Sequence, residues 1–267
     1  MDLHQKLKAI YEQSNGERFF SFPLVLACIK EKNAISGDLR FYEGDNAGDI
    51  CRQMTDLCLG EPLQYYLGHW EFRGSDFICR PGVLIPREDS GILVELAAGY
   101  LPEDGRLADL CCGSGCLGIS TLLTRPDCSC VSVDISPDAA ELTEINAERL
   151  GVSPCLTVRR GDVLDPGFEP DEFDVLVCNP PYIRTGELDG LSENVKREPR
   201  LALDGGADGL RFYRAIKALK NKHKDRIFIC EIGWDQRRDI EKLFGDTAEP
   251  EFFNDGSGSC RCFVLKT

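Results

Sequence analysis

An apolar strand from Arg106 to Cys111 passes through Cys112 into Gly113-Ser114-Gly115-Cys116-Leu117-Gly118, and Asp134 stands 19 residues after the middle glycine, at the end of the next strand. No other stretch narrows the possible folds so far. Glycines between a strand and a helix let the backbone pass close to a bound nucleotide, and a carboxylate at the end of the second strand can accept both ribose hydroxyls. The pattern implies a cofactor that contains adenosine. It leaves open whether that is a nicotinamide dinucleotide or S-adenosylmethionine, because both present an adenosine ribose to such a crevice.

The rest of the chain agrees with a sheet covered by helices on both faces. Further strands are expected over Ser129 to Ile135, Cys155 to Arg159, Phe173 to Cys178 and Arg226 to Glu231. Phe252-Phe253 and Cys262 to Leu265 flank the turn Asp255-Gly256-Ser257-Gly258 and should form an antiparallel hairpin. Ser136 as N-cap, Pro137 at the first helical position and Gly151 past the end bound the helix after the second strand. Ahead of the sheet, Leu3, Leu7, Ile10 and Tyr11, then Ile50, Met54, Leu57 and Cys58, recur at helical spacing. Trp70 to Phe72 and Phe77 to Cys79 flank Arg73-Gly74-Ser75-Asp76 and read as a connecting β-hairpin.

Charge and cysteine usage remove several classes of function. A net charge of −14 over 267 residues repels a phosphate backbone, so duplex binding is a poor candidate for the main task. No stretch is apolar for long enough to span a membrane, and the N-terminus alternates charge with leucine, which gives the expectation of a cytoplasmic protein. The 14 cysteines form no C-x-x-C pair, and Cys130, Cys178, Cys230 and Cys262 lie in strand-like runs as small buried hydrophobes. His4, His69 and His223 are scattered, so no metal is expected.

The strand ending at Cys178 runs directly into Asn179-Pro180-Pro181-Tyr182. Two prolines fix φ and remove two backbone donors, so the turn offers carbonyl acceptors beside the asparagine side-chain oxygen. Such a turn receives a planar NH₂ group, on which Tyr182 could stack. An amide or exocyclic amine is a poor nucleophile because its lone pair is delocalised; two acceptors on its hydrogens raise the electron density at nitrogen and aim it. Opposite a cofactor loop, this points to N-methylation by S-adenosylmethionine.

These residues resemble the HemK-type glutamine methyltransferases that modify class I peptide chain release factors. The resemblance covers about 200 of the 267 residues: Gln64-Tyr65-Tyr66-Leu67-Gly68, Glu71-Phe72-Arg73-Gly74, Val83-Leu84-Ile85-Pro86-Arg87, the glycine loop, Asp134-Ile135-Ser136-Pro137 and Asn179-Pro180-Pro181-Tyr182-Ile183. It continues through Glu198-Pro199, Gly205-Gly206, Asp208-Gly209-Leu210 and Glu231-Ile232-Gly233. The resemblance implies an α/β fold, a class I S-adenosylmethionine-dependent methyltransferase with a Rossmann-like seven-stranded sheet over residues 91–267. It also implies a helical substrate-binding domain over 1–68, a β-hairpin linker over 69–90, and the glutamine of a release factor's Gly-Gly-Gln loop as substrate.

Carried over by position, Cys111, Cys112, Gly113, Ser114 and Gly115 should wrap the methionine part, Asp134 should hold the ribose, Asp162 with Val163 should flank the adenine, and Asp109, Ile135 and Asn179 should also belong to the cofactor site. Asn179, Pro180, Pro181 and Tyr182 should hold the glutamine amide, with Arg87 beside the substrate. Two departures stand out. Cys111 occupies a position where the family usually has glycine, so φ there is expected to be negative. Glu88-Asp89-Ser90-Gly91 replaces the family's Pro-Glu-Thr-Glu run, which leaves Arg87 without that run's last glutamate.

The main rival is an N6-adenine methyltransferase acting on DNA or RNA, since that amine needs the same acceptors. Residues 194–226 carry ten Lys or Arg against four acids and could touch RNA, but the solvated face of a helix explains them more simply. A nicotinamide dehydrogenase is contradicted by Asn179-Pro180-Pro181-Tyr182, and a non-catalytic cofactor-binding module would not need Asn179 or Tyr182. The expected protein is a monomer with a release factor as protein partner, no membrane association and no stable nucleic-acid binding.

Overall fold

The computed structural model describes residues 1–14 and 20–266. Four helices come first: α1 (Leu3–Gln13), α2 (Phe22–Lys32), α3 (Ala47–Cys58) and the short α4 (Leu63–Leu67). Their spaced apolar residues, Leu3, Leu7, Ile29, Ile50, Met54 and Leu57 among them, meet in one buried cluster of their own. Gly68, at φ +88°, ends α4 and turns the chain into the hairpin β1 (His69–Phe72) and β2 (Ser75–Ile78). The hairpin is more than a connector, because Phe72 and Phe77 are completely buried in the core that lines one face of the main sheet.

From α5 (Gly91–Tyr100) onward, strands and helices alternate: β3 (Arg106–Leu110), α6 (Cys116–Thr124), β4 (Ser129–Asp134), α7 (Pro137–Arg149), β5 (Leu156–Arg160) and β6 (Val175–Cys178). There follow α8 (Glu193–Lys196), α9 (Arg211–Lys222), β7 (Ile227–Glu231), α10 (Arg237–Phe244), β8 (Glu251–Asn254) and β9 (Cys260–Leu265). The seven strands are ordered β5-β4-β3-β6-β7-β9-β8. The five strands from β3 to β7 run parallel, and β9 pairs antiparallel with both β7 and β8. Every residue of β6 is buried, as a central strand covered on both faces requires.

The chain order reverses between β3 and β6. Their carboxyl ends carry the glycine loop and the Asn-Pro-Pro-Tyr turn, so both motifs open on the crevice where ligands bind in sheets of this kind. Ser136 caps α7 by accepting from Ala139 N, and Gly151 takes φ +76° just beyond its end, as expected. The fourth strand starts two residues later than expected. Asp174 lies just before it, at the amino-terminal ends of the central strands, where its carboxylate accepts from Arg106 N at 2.9 Å and from Arg226 at 2.6 Å.

None of the fourteen cysteines is disulfide-bonded. Cys130, Cys178, Cys230 and Cys262 are all at most 2% exposed, and burial pushes their thiols up, which leaves them inert. Among the described residues no helix is long and apolar enough to cross a membrane.

Candidate active site

The glycine loop is fixed from two directions. From β4, the Asp134 carboxylate accepts from Gly113 N at 3.0 Å and from Ser136 N at 2.9 Å. From α7, Thr143 Oγ1 donates to Gly113 O at 3.0 Å and Asn146 Nδ2 to Ser114 O at 3.0 Å. Asn146 also accepts from Ile78 N at 2.8 Å, so one buried amide ties hairpin, helix and loop together. Gly113 and Gly115 lie at φ +58° and +78°. A Cβ on Gly118 would stand 2.9 Å from both Asp109 Oδ2 and Cys130 Sγ, so the third glycine lets α6 settle onto the sheet.

Around this loop the chain encloses a cavity of about 430 Å³. Its wall brings together Cys111, Cys112, Gly113, Ser114, Asp134, Ile135, Asp162, Val163, Asn179, Pro181 and Arg87 from the sequence-derived set. Asp134 and Ile135 stand on the β4 side, with Asp162 and Val163 after β5 as a second flank. An acceptor carboxylate, a main-chain loop without side chains and an apolar flank suit an adenosine with a methionine tail, so these residues fit S-adenosylmethionine.

Four expected residues do not reach the wall. Asp109 is fully buried beneath the loop and accepts from Gly118 N at 3.0 Å, so it supports the loop rather than touching a cofactor. Gly115 is the N-cap residue of α6, and a Cβ there would meet Thr143 Cγ2 at 2.7 Å, which makes its role one of packing. Pro180 is buried within the turn. Tyr182 turns away from the cavity into the core of the other sheet face, where its hydroxyl donates to Glu231 at 3.2 Å. That hydrogen bond anchors the turn.

Cys111 also departs from expectation. Its φ is +57°, the left-handed conformation that the usual glycine would adopt without strain, and a hydrogen bond with the neighbouring Cys178 thiol, together with burial, pushes its thiol well up. A non-glycine residue there costs roughly 1 kcal/mol.

Sequence reasoning missed the groups that hold Asn179 and Arg87. Asn179 Nδ2 donates to Ser90 Oγ at 3.2 Å, and Ser90 Oγ donates to Glu231 Oε2 at 2.5 Å. Burial, opposed by Ser90 and by the Arg261 charge, pushes the Glu231 carboxyl up to about 6. Arg87 is paired with Glu198, whose other oxygen accepts from Ile85 N at 3.1 Å, so the partner missing from the following run is supplied 111 residues away. Glu198 and Glu231 both lie in runs that the family resemblance includes, and that was the available signal.

A covering segment completes the site. Pro199, Arg200, Leu201 and Ala202 form part of the cavity wall, and the chain then returns beside the turn. Ile183 N donates to Leu203 O at 3.0 Å and Gly205 N to Ile183 O at 2.8 Å. A Cβ on Gly205 would lie 2.7 Å from Tyr182 Cα, so backbone rests directly on backbone. Gln236 Nε2 donates to both Tyr182 O and Gly209 O, at 3.0 and 3.2 Å.

The buried support under the loop has a measurable pH signature. Burial pushes the Asp109 carboxyl up to about 7 from an ordinary 3.8. A carboxyl with a raised folded value contributes its stability at low pH and loses it as pH climbs through that value. Relative to Asp109→Asn, the wild-type protein should lose about 2 kcal/mol between pH 5 and 7. Thermal unfolding of both proteins across that range measures it, and parallel curves would refute it.

Residues 87–199 match the Methyltransferase small domain family. The release factor glutamine methyltransferase of Moorella thermoacetica is 37% identical over 249 residues, covering 91% of this chain and 84% of that protein. The enzyme of the same name from Geobacter sulfurreducens is 39% identical over 209 residues, covering 77% and 69%. Among solved structures, the hMettl16 catalytic domain in complex with MAT2A 3'UTR hairpin 6 aligns over 94% of each chain with a TM-score of 0.60 and 13% identity, a likeness of fold. With sequence similarity at this level running through both the cofactor loop and the Asn-Pro-Pro-Tyr turn, the chain belongs to the release factor glutamine methyltransferase family.

Proposed function

We propose that the protein transfers a methyl group from S-adenosylmethionine to the side-chain amide nitrogen of the glutamine in the Gly-Gly-Gln motif of class I peptide chain release factors. The observation that carries this reading is the presence of Asn179 and Asp134 in the wall of one cavity, at the ends of strands on opposite sides of β3. S-adenosylmethionine supplies an electrophilic methyl group and a neutral thioether leaving group.

This chain's residues do the rest. Asp134 accepts the ribose hydroxyls, and Asp162 and Val163 flank the adenine. Asn179 Oδ1 accepts one hydrogen of the substrate amide. The second acceptor is a main-chain carbonyl of the turn, where Asn179 O takes no backbone hydrogen bond among the described residues. Two acceptors on one NH₂ group hold the nitrogen lone pair toward the methyl group and stabilise the positive charge that develops on nitrogen. No strong base is required, because the proton leaves after methylation.

The helices over residues 1–68 act as the substrate-binding domain, residues 69–90 as the linker, and 91–267 as the methyltransferase domain. The basic segment 194–226 is largely engaged with the protein itself. Arg214 pairs with Asp208, Lys217 with Asp246 and Lys222 with Glu169, and Lys220 donates to the Lys224 and Arg226 carbonyls at 2.7 Å each. That internal use favours a protein substrate over RNA.

The test is methyl transfer from labelled S-adenosylmethionine to a purified class I release factor, beside its Gln-to-Ala form and an adenine-containing nucleic acid. Label that depends on the glutamine is the expected result. Label on the nucleic acid alone would move the same chemistry to adenine.

A further inference from the structure

Asparagine can present either end of its amide to a cavity, and only one end is useful here. With Oδ1 inward the turn accepts a hydrogen from the substrate amide; with Nδ2 inward it would face that NH₂ with another donor and repel it. Nothing in Asn179 itself chooses between the two. The choice falls to whatever meets the other end of the amide, which is Ser90 Oγ at 3.2 Å.

A hydroxyl is equally undecided unless its hydrogen is committed elsewhere. Ser90 is 2% exposed and its oxygen stands 2.5 Å from Glu231 Oε2, while Tyr182 OH donates to Glu231 Oε1 at 3.2 Å. A carboxylate only accepts, so it draws the Ser90 hydrogen toward itself and turns a Ser90 lone pair toward Asn179. The amide must then offer its NH₂ to Ser90.

Glu231 is held in turn. It ends β7, where Tyr213 OH donates to its main-chain oxygen at 2.7 Å. Arg261, on the neighbouring strand β9, bridges Asp89 and Asp255 at 3.0 Å each, pinning the short turn that contains Ser90. The hydroxyl sits third in the Glu88-Asp89-Ser90-Gly91 run, where the family's Pro-Glu-Thr-Glu run also has a hydroxyl.

We infer that Ser90 and Glu231 are positioning residues for the methyl transfer: Glu231 fixes the Ser90 hydrogen, and Ser90 fixes the Asn179 amide with Oδ1 toward the substrate nitrogen. The inference rests on the proposed glutamine methylation. It assigns these two side chains a part in the turnover step and none in gathering the substrates, so their loss should appear in kcat and not in KM.

The experiment compares full-length wild type, Ser90→Ala, Ser90→Cys and Ser90→Thr, using purified release factor and labelled S-adenosylmethionine, with cofactor affinity measured separately by titration. Ser90→Ala should lower kcat about tenfold, with KM for the release factor and cofactor affinity within about twofold of wild type. Ser90→Cys keeps the volume with a weak donor and should fall similarly. Ser90→Thr, which restores the hydroxyl, should recover most of the loss.

Should the alanine variant not fold, the Cys and Thr pair decides. A wild-type kcat in Ser90→Ala or in Ser90→Cys would overturn the inference, as would a Ser90→Thr enzyme no faster than Ser90→Cys. Absence of glutamine label with the wild-type enzyme would instead sink the underlying reading, so the two failures are distinguishable.

Discussion

Replacing Asn179 with alanine should lower kcat for glutamine methylation by about 100- to 1000-fold, equivalent to roughly 3 to 4 kcal/mol of transition-state stabilisation. The size follows from where the side chain stands. Asn179 lies in the cavity wall at the end of β6, adjacent in the sheet to the strand that carries the glycine loop. In the proposed mechanism its Oδ1 accepts a hydrogen of the substrate NH₂. The interaction strengthens as positive charge develops on nitrogen, so its loss falls on the chemical step more than on binding. Cofactor affinity should remain within about twofold of wild type, because the loop is held by Asp134, Thr143 and Asn146 and by no atom of Asn179. Single-turnover methyl transfer with bound cofactor, set beside a cofactor titration, measures both. An Asn179→Ala enzyme with full turnover would remove the amide-acceptor mechanism.

The second large effect has the opposite signature. Asp134→Ala should weaken S-adenosylmethionine binding by about 100-fold, with kcat at saturating cofactor reduced less than about tenfold. A carboxylate accepting from ribose hydroxyls contributes about 1.5 to 3 kcal/mol per bond, part of which survives through neighbouring contacts. The same carboxylate accepts from Gly113 N and Ser136 N, so its removal also frees the loop at one of its two attachments. Equilibrium titration of the variant with cofactor gives the answer directly. Unchanged affinity would take Asp134 out of the ribose site.

Much of the architecture was legible because its signals are local. Ser136 and Pro137 open α7 and Gly151 closes it within one stretch of chain, and the run from β3 to Gly118 states its own loop geometry. The Asn-Pro-Pro-Tyr turn falls where β6 ends, as its sequence demands. Strand limits shifted by one or two residues, as at the start of β6, where Asp174 instead clasps Arg106 and Arg226. The partners of these motifs were less visible for a physical reason. Asn179, Ser90 and Glu231 are separated by 89 and 141 residues along the chain, and only the packed sheet brings them together. No periodicity connects them.

Tyr182 shows the related limit for orientation. Its identity was informative, but which way the ring turns depends on whether Glu231 waits behind the turn. At Cys111 the condition under which a non-glycine residue is free of strain, a negative φ, is not met, since the backbone there takes +57°. The glycine loop keeps its shape even though one of its residues is ill suited to it.

The position of β9 sets an order in which the enzyme becomes competent as it is made. Ribosomes deliver this chain from residue 1 onward at roughly 5 to 20 residues per second. By Leu164 the glycine loop, Asp134 and the Asp162–Val163 flank have been synthesised, whereas Asn179 and the covering segment of the wall have not. Glu231 follows, but its strand is paired on one side only, with β6, until β9 slots in between β7 and β8, with Cys262 opposite Glu231 and Arg261 beside Asp89. A nascent chain thus carries the glycine loop and its carboxylate about a hundred residues before Arg261 arrives to pin the turn that holds Ser90 beside Asn179, so the group that aims the acceptor is the last part of the site to be secured.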